Sequence, residues 1–140
     1  MDYVHKKARQ RLSLLRKLRN FDIERRILTI VYRSMIESIL TYNIVSWYGN
    51  LTMKQKNKLT RVINEANKII GHKQSTLQEL FSHFLEKRAF VVYSDQTHPL
   101  HFCFEVLPSG RRLRVPYAKK NIFKRSFVPL AVPVLNQILN

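Results

Sequence analysis

The side chains suited to chemistry are few in this chain and poorly placed for it. His98, His101 and Cys103 form the one tight grouping of metal-ligand types, yet a structural zinc site takes four ligands and no second cluster supplies the rest. His98 stands before Pro99 and suits a turn, while Cys103 suits a small hydrophobe in packing. The aspartates Asp2, Asp22 and Asp95 are widely separated and the glutamates come singly, so nothing resembles the clustered carboxylates of a two-metal polymerase or nuclease centre. No histidine opens the H-x-D run that begins a facial iron triad. Gly49, Gly71 and Gly110 each stand alone, which leaves no glycine-rich loop for nucleotide phosphates. A Cys–His nucleophile pair would have to be assembled by the fold. These absences predict a noncatalytic chain with no cofactor and no metal.

Positive charge is what the chain has in excess. Against 9 acidic residues stand 25 lysines and arginines, a formal charge of +16. Self-repulsion of that size opposes folding, so a polyanionic partner, RNA or DNA ahead of an acidic membrane, is the economical explanation. The bland alternative is a basic piece whose acidic counterpart lies elsewhere in a longer polypeptide. The charge falls in two clusters. In DYVHKKARQRLSLLRKLRN, Lys6, Lys7, Arg9, Arg11, Arg16, Lys17 and Arg19 surround an apolar face of Val4, Ala8, Leu12, Leu15 and Leu18, with Leu14 beside it. Such a helix can lie along phosphates, lie on a membrane surface, or dock on a core with a solvated outer face. In the second cluster Arg111, Arg112, Arg114, Lys119, Lys120, Lys124 and Arg125 are interleaved with Tyr117 and Phe123. Guanidinium forks beside exposed aromatics suit single strands or irregular RNA, where bases are free to stack; a loosely ordered basic arm is the competing reading. A third row, Lys54, Lys58, Arg61 and Lys68, is interrupted by Glu65 and reads as an ordinary solvated face.

The elements that must carry these clusters are helices. The sequence predicts a mainly α-helical chain: a bundle of about four helices around a long central one, over roughly 4–19, 22–48, 53–70 and 76–94. Asp22 is placed to cap the central helix and Gly49 to end it, with Ile27, Ile30, Val31, Ser34, Met35, Ser38, Ile39, Tyr42 and Val45 as its core-facing stripe. Arg33 and Glu37 sit mid-stretch at i, i+4, a spacing that pairs them at the core margin and excludes a membrane span. Thr52 with Gln55 makes a capping box closed by Gly71 at the far end, and Ser75 or Thr76 opens the next helix. That helix takes Leu77, Leu80, Phe81, Phe84, Leu85, Val91 and Val92 as its apolar face.

All five prolines, Pro99, Pro108, Pro116, Pro129 and Pro133, lie beyond residue 95. The organisation expected is therefore a helical domain over 1–95 and a basic, irregular arm over 96–140. Within the arm, LPSGRRLRVP predicts a turn feeding a brief extended segment with Leu113 and Val115, and Ser126 to Leu139 a last short helix limited by Pro133. The single Cys103 forbids an internal disulfide and suits a reducing compartment, cytoplasm or nucleus. The charged N-terminus lacks the apolar run of a secretory leader.

Several stretches also carry family resemblances. KKARQRLSLLRKLRNF, YRSMIESILTYNIVSWYGNLT, GHKQSTLQEL, LPSGRRLRVP and SFVPLAVPVLN resemble, in the same order, the C-terminal end of reverse transcriptases from non-LTR (LINE-type) retrotransposons. That resemblance implies a helical region after the polymerase palm, near the thumb, that helps hold template and primer. KKARQRL through SWYGN is also similar to the AlkB homologue 8 N-terminal domain family. This second resemblance implies an auxiliary domain beside a methyltransferase and a 2-oxoglutarate- and iron-dependent dioxygenase acting on tRNA or other nucleic acid. No position of this chain matches the polymerase's metal-binding aspartates, the dioxygenase's iron ligands or a methyltransferase cofactor loop. Both resemblances leave catalysis to a partner domain and give this chain a binding role; a structural or nonfunctional helical remnant is the remaining alternative.

Overall fold

The structure, a computed structural model, describes residues 1–139 and is mainly α-helical. The chain divides into two compact units, residues 1–44 with 51–80 and residues 45–50 with 81–140.

In the first unit, α1 (Asp2–Asn20) buries Ala8, Leu12 and Leu15, the middle of the stripe its sequence predicts. It packs along α5 (Met53–Ile70), which buries Leu59, Val62, Ile63, Ala66 and Ile70. The two run in the same direction: Lys58 lies 4.0 Å from Asp2, Arg16 2.6 Å from Glu65, and the Arg19 guanidinium donates to the Ile69 carbonyl. The ends of α5 form as expected. The Gln55 N–H donates to the Thr52 hydroxyl at 3.3 Å while the Gln55 side-chain oxygen accepts from the Thr52 N–H at 3.0 Å. At the other end Gly71 adopts φ +76° and its N–H donates to Asn67 O at 2.8 Å.

The central stretch departs from expectation. Asp22 is not a cap but a left-handed turn residue (φ 53°), and Glu24 holds the N-cap position. Helix α2 (Arg25–Tyr32) passes through a π-helical turn (Arg33–Glu37) into α3 (Ser38–Thr41). Asn43 (φ 48°) then breaks the helix before α4 (Ile44–Trp47) and a 3₁₀ turn, Tyr48–Asn50. The buried side chains are Leu28, Tyr32, Ile36, Leu40 and Ile44, one every fourth residue, whereas Ile27, Ile30, Ser34, Ser38 and Tyr42 are exposed. In a regular helix each four-residue step overshoots by about 40°, so this run would wander off one face. A π turn inserts one residue and takes back about 100°, which keeps the run pointing inward. The rotation also leaves Arg33 exposed and Glu37 half-buried, and the two are not within ion-pair distance. Among the described residues no helix is long and apolar enough to cross a membrane.

The second unit is built on most of α6 (Leu77–Ser94), which buries Phe81, Leu85, Ala89 and Val92 here. Val91, expected in the core, is 46% exposed, and Ala89 takes the inward position. Thr76 caps this helix, its hydroxyl accepting from the Glu79 N–H at 3.2 Å. The Tyr48 ring packs on Phe81 with centroids 4.6 Å apart. Gly49 has no positive φ; it is needed because a Cβ there would lie 2.3 Å from the Arg125 carbonyl oxygen. Residues 105–114 form a short hairpin with Gly110 at φ +70°, bridged at Val106 and Leu113. Leu113 points inward and Val115 outward. After α7 (Asn121–Lys124), helix α8 (Phe127–Ile138) continues through Pro133. Proline forfeits one helical hydrogen bond there, and the burial of Pro129, Ala131, Val132 and Leu135 offsets it.

Candidate nucleic-acid interface

The basic residues of α1 divide into those committed to packing and those left outside. The Arg11 guanidinium donates to the Met35 carbonyl in the π turn, Arg16 pairs with Glu65, and Arg19 serves the Ile69 carbonyl at the C-terminal end of α5. Cations at that end also meet the negative pole of the helix dipole. Lys7 lies 5.8 Å over the Tyr3 ring. Part of the excess charge is thus structural. Lys6, Arg9 and Lys17 are exposed. Arg9 joins His5, Lys58, Arg61, Val62 and Glu65 around a groove of about 360 Å³ between α1 and α5. The parallel packing of the two helices thereby lays the α1 row against Lys58 and Arg61, a pair whose sequence pattern reads as no more than a solvated face.

In the second unit every basic residue of the 111–125 cluster is exposed. Arg111 and Arg112 rise from the hairpin turn beside a pocket of about 390 Å³ with Tyr93, Val106, Leu113 and Leu139. Arg114 lies 3.7 Å from Glu105 across the hairpin. Lys119 and Lys120 precede α7, Lys124 ends it and Arg125 follows it, and Tyr117 is 84% exposed; a base can stack only on a ring left in the open. His98 and His101 serve local structure: the His98 ring accepts from the Leu100 N–H at 3.0 Å, and the His101 Nδ1 lies 3.2 Å from the Val92 carbonyl. Among the described residues no group of three or more metal-ligand side chains converges.

A third basic site is not legible in the sequence. In the first unit a cleft of about 520 Å³ is lined by Arg25, Arg26, Thr29, Ile30 and Arg33 from α2 and the π turn, and by His72, Lys73, Gln74 and Ser75 from the loop after α5. The Arg25 guanidinium also reaches Gly71, 3.5 Å from where a Cβ would stand, with that of Arg19 close by. No carboxylate lines the cleft. Two carboxylates act on it from outside. Glu79 feels Lys73, but its carboxylate is held below its ordinary range mainly by the Thr76 N–H. Burial, against the pull of Arg33, pushes the Glu37 carboxyl up.

Among known proteins, the family described as "Alkylated DNA repair protein alkB homolog 8, N-terminal" matches residues 1–38. The match covers α1, α2 and the π turn, a shorter segment than the similarity running to SWYGN. No curated protein and no solved structure matches the chain, so the reverse-transcriptase resemblance finds no counterpart there.

Proposed function

We propose that this chain is a noncatalytic accessory module, of the AlkB homologue 8 N-terminal kind, that holds a nucleic acid by its phosphates for a catalytic partner. The observation that carries this is the position of the family match. Residues 1–38 contain α1 with its outward cations Lys6, Arg9 and Lys17, and the family's description names a protein of alkylated DNA repair. The α1–α5 groove supplies a linear basic track, and residues 111–125 supply guanidinium groups with an exposed aromatic ring. A methyltransferase or 2-oxoglutarate-dependent dioxygenase acting on tRNA or other nucleic acid fits as the partner, in cytoplasm or nucleus. The test is fluorescence anisotropy with single-stranded and duplex RNA at several salt concentrations, followed by reconstitution with the candidate catalytic domain. Salt-sensitive binding and a lowered KM for the partner's substrate are expected. No binding at low salt would overturn the reading.

A second reading rests on the ordered run of stretches from KKARQRL to SFVPLAVPVLN, which resembles the thumb-side end of a LINE-type reverse transcriptase. In that reading the same surfaces grip template and primer. An intact palm domain in the reading frame upstream of Met1 would favour it over the accessory module.

A further inference from the structure

The cleft between α2 and the loop after α5 is built differently from the basic tracks. We infer that it binds a terminal phosphate monoester, the phosphorylated end of a nucleic-acid strand. The inference rests on the nucleic-acid reading above and gives one site a specific chemistry.

Three features support it. The cations come from separate segments, Arg25, Arg26 and Arg33 on one side and Lys73 on the other, and they line one cleft without a carboxylate, whereas Glu65 stands in the α1–α5 groove. None of the four has an ion-pair partner among the described residues, whereas Arg16 and Arg114 each have one. The carboxylates near them leave most of that charge free: Glu79, near Lys73, is engaged by the Thr76 N–H at 2.8 Å, Glu37, near Arg33, is half-buried, and Asp22 shares a smaller, separate pocket with Arg19 and Arg25.

The geometry also selects among phosphates. A phosphodiester within a strand carries one charge and is flanked by sugar on both sides, so it neutralises little of a four-cation site. A monoester carries close to two charges and three acceptor oxygens and can enter a cleft end-on. Three guanidinium forks and an ammonium match the doubled charge and third free oxygen of a monoester better than the single charge and two free oxygens of a diester. Ile30, 57% exposed at the rim, offers an apolar surface for the sugar or base behind the phosphate.

The experiment compares one single-stranded oligoribonucleotide with a 5′-phosphate and with a 5′-hydroxyl, binding to the full chain. The wild type is expected to prefer the phosphorylated end by about tenfold, the scale of a single charge-assisted hydrogen bond. In Arg26→Gln/Arg33→Gln/Lys73→Gln the ratio should collapse towards one. Adenosine 5′-monophosphate, tested on the wild type alone, should raise the melting temperature more than adenosine does, so the proposal does not depend on the variant folding. Equal affinity for the two ends would overturn the inference while leaving the accessory reading in place. If neither oligonucleotide binds, the accessory reading fails and the monophosphate arm decides the cleft: a shift over adenosine supports it, and no shift overturns it.

Discussion

The side chain of Asn136 holds the backbone of Leu113 from both sides. Its Oδ1 accepts from the Leu113 N–H at 2.8 Å and its Nδ2 donates to the Leu113 carbonyl at 3.1 Å. An amide side chain on α8 thus takes the place of a neighbouring strand for a hairpin that has none on that edge among the described residues. Leu113 is 2% exposed, so water cannot readily replace those bonds. Asn136→Ala is therefore expected to cost about 1–3 kcal/mol, the desolvation penalty of buried unpaired groups. Asn136→Asp should behave nearly as badly, because it keeps the acceptor and loses the donor. Chemical denaturation checks the magnitude, and hydrogen exchange at the Leu113 amide checks the location. Unchanged exchange would mean the hairpin stands without α8.

Tyr32 and Glu37 give a prediction with a sign in pH. The Tyr32 hydroxyl is buried with no hydrogen-bond partner, and burial with the nearby Glu37 charge holds its pKa far above the usual range. Tyr32→Phe should melt no lower than wild type, since it removes an unpaired polar atom at nearly constant shape. Glu37 is raised above its ordinary 4.5, burial outweighing Arg33. The folded state therefore binds that proton more tightly than the unfolded one. The resulting stability is full below 4.5 and is lost as pH rises through the folded-state value. Glu37→Gln should melt above wild type at neutral pH, with the gap closing below 4.5. A gap that widens in acid would mean the carboxylate is stabilised in the fold.

Gly49 separates two explanations of a turn glycine by substitution alone. A residue there to supply a positive φ would tolerate Asn; one there to admit a neighbouring backbone would tolerate nothing larger. Because the added Cβ would meet the Arg125 carbonyl at 2.3 Å, both Gly49→Ala and Gly49→Asn should destabilise, by about 1–3 kcal/mol as overpacking does. Thermal melts of the pair test this. Tolerance of Asn but not Ala would restore the conformational explanation.

The parts of the fold set by local signals are legible in the sequence alone. The Thr52–Gln55 box, the left-handed Gly71 and the inward faces of α1 and α5 each depend on residues within a few positions of one another. The central stretch misleads because it is apolar nearly all round, and the usual helical period chooses the wrong face. Its own regularity, Leu28, Tyr32, Ile36, Leu40 and Ile44, holds the signal, but a strict repeat of four has meaning only if a π turn absorbs the drift. Asn43 breaks the helix with no glycine to mark the place. The cleft is illegible for another reason. Arg25 and Lys73 are far apart in sequence, both outside the basic clusters the sequence shows, and only the return of the chain after α5 brings them to one space. Nor does sequence reveal that Arg11, Arg16 and Arg19 spend their charge on carbonyl and carboxylate partners inside the fold.

That division of labour among the α1 cations yields the functional prediction. If the α1–α5 groove tracks a single strand, the cations free to face phosphate are Arg9 and its neighbours Lys58 and Arg61, and Lys58 has only an exposed partner, Asp2 at 4.0 Å. Each phosphate contact releases condensed counterion and contributes about 0.7 to the slope of log affinity against log salt for a single strand. Arg9→Gln with Arg61→Gln should therefore weaken single-stranded RNA binding and flatten that slope by about 1.4, two contacts' worth. Arg16→Gln should lower the melting temperature slightly and leave the slope unchanged, because its guanidinium is engaged by Glu65 at 2.6 Å. In the second unit, Arg111→Gln with Arg112→Gln should flatten the slope by a similar amount. Tyr117→Ala should weaken single strands more than duplexes, by about 1–3 kcal/mol if a base stacks on its ring. The measurement is anisotropy across a salt series with both ligands. A slope that falls for Arg16→Gln and not for the Arg9 and Arg61 pair would reverse the assignment of structural and binding cations on α1. An unchanged slope for the Arg111 and Arg112 pair would remove the hairpin turn from the phosphate-contacting surface.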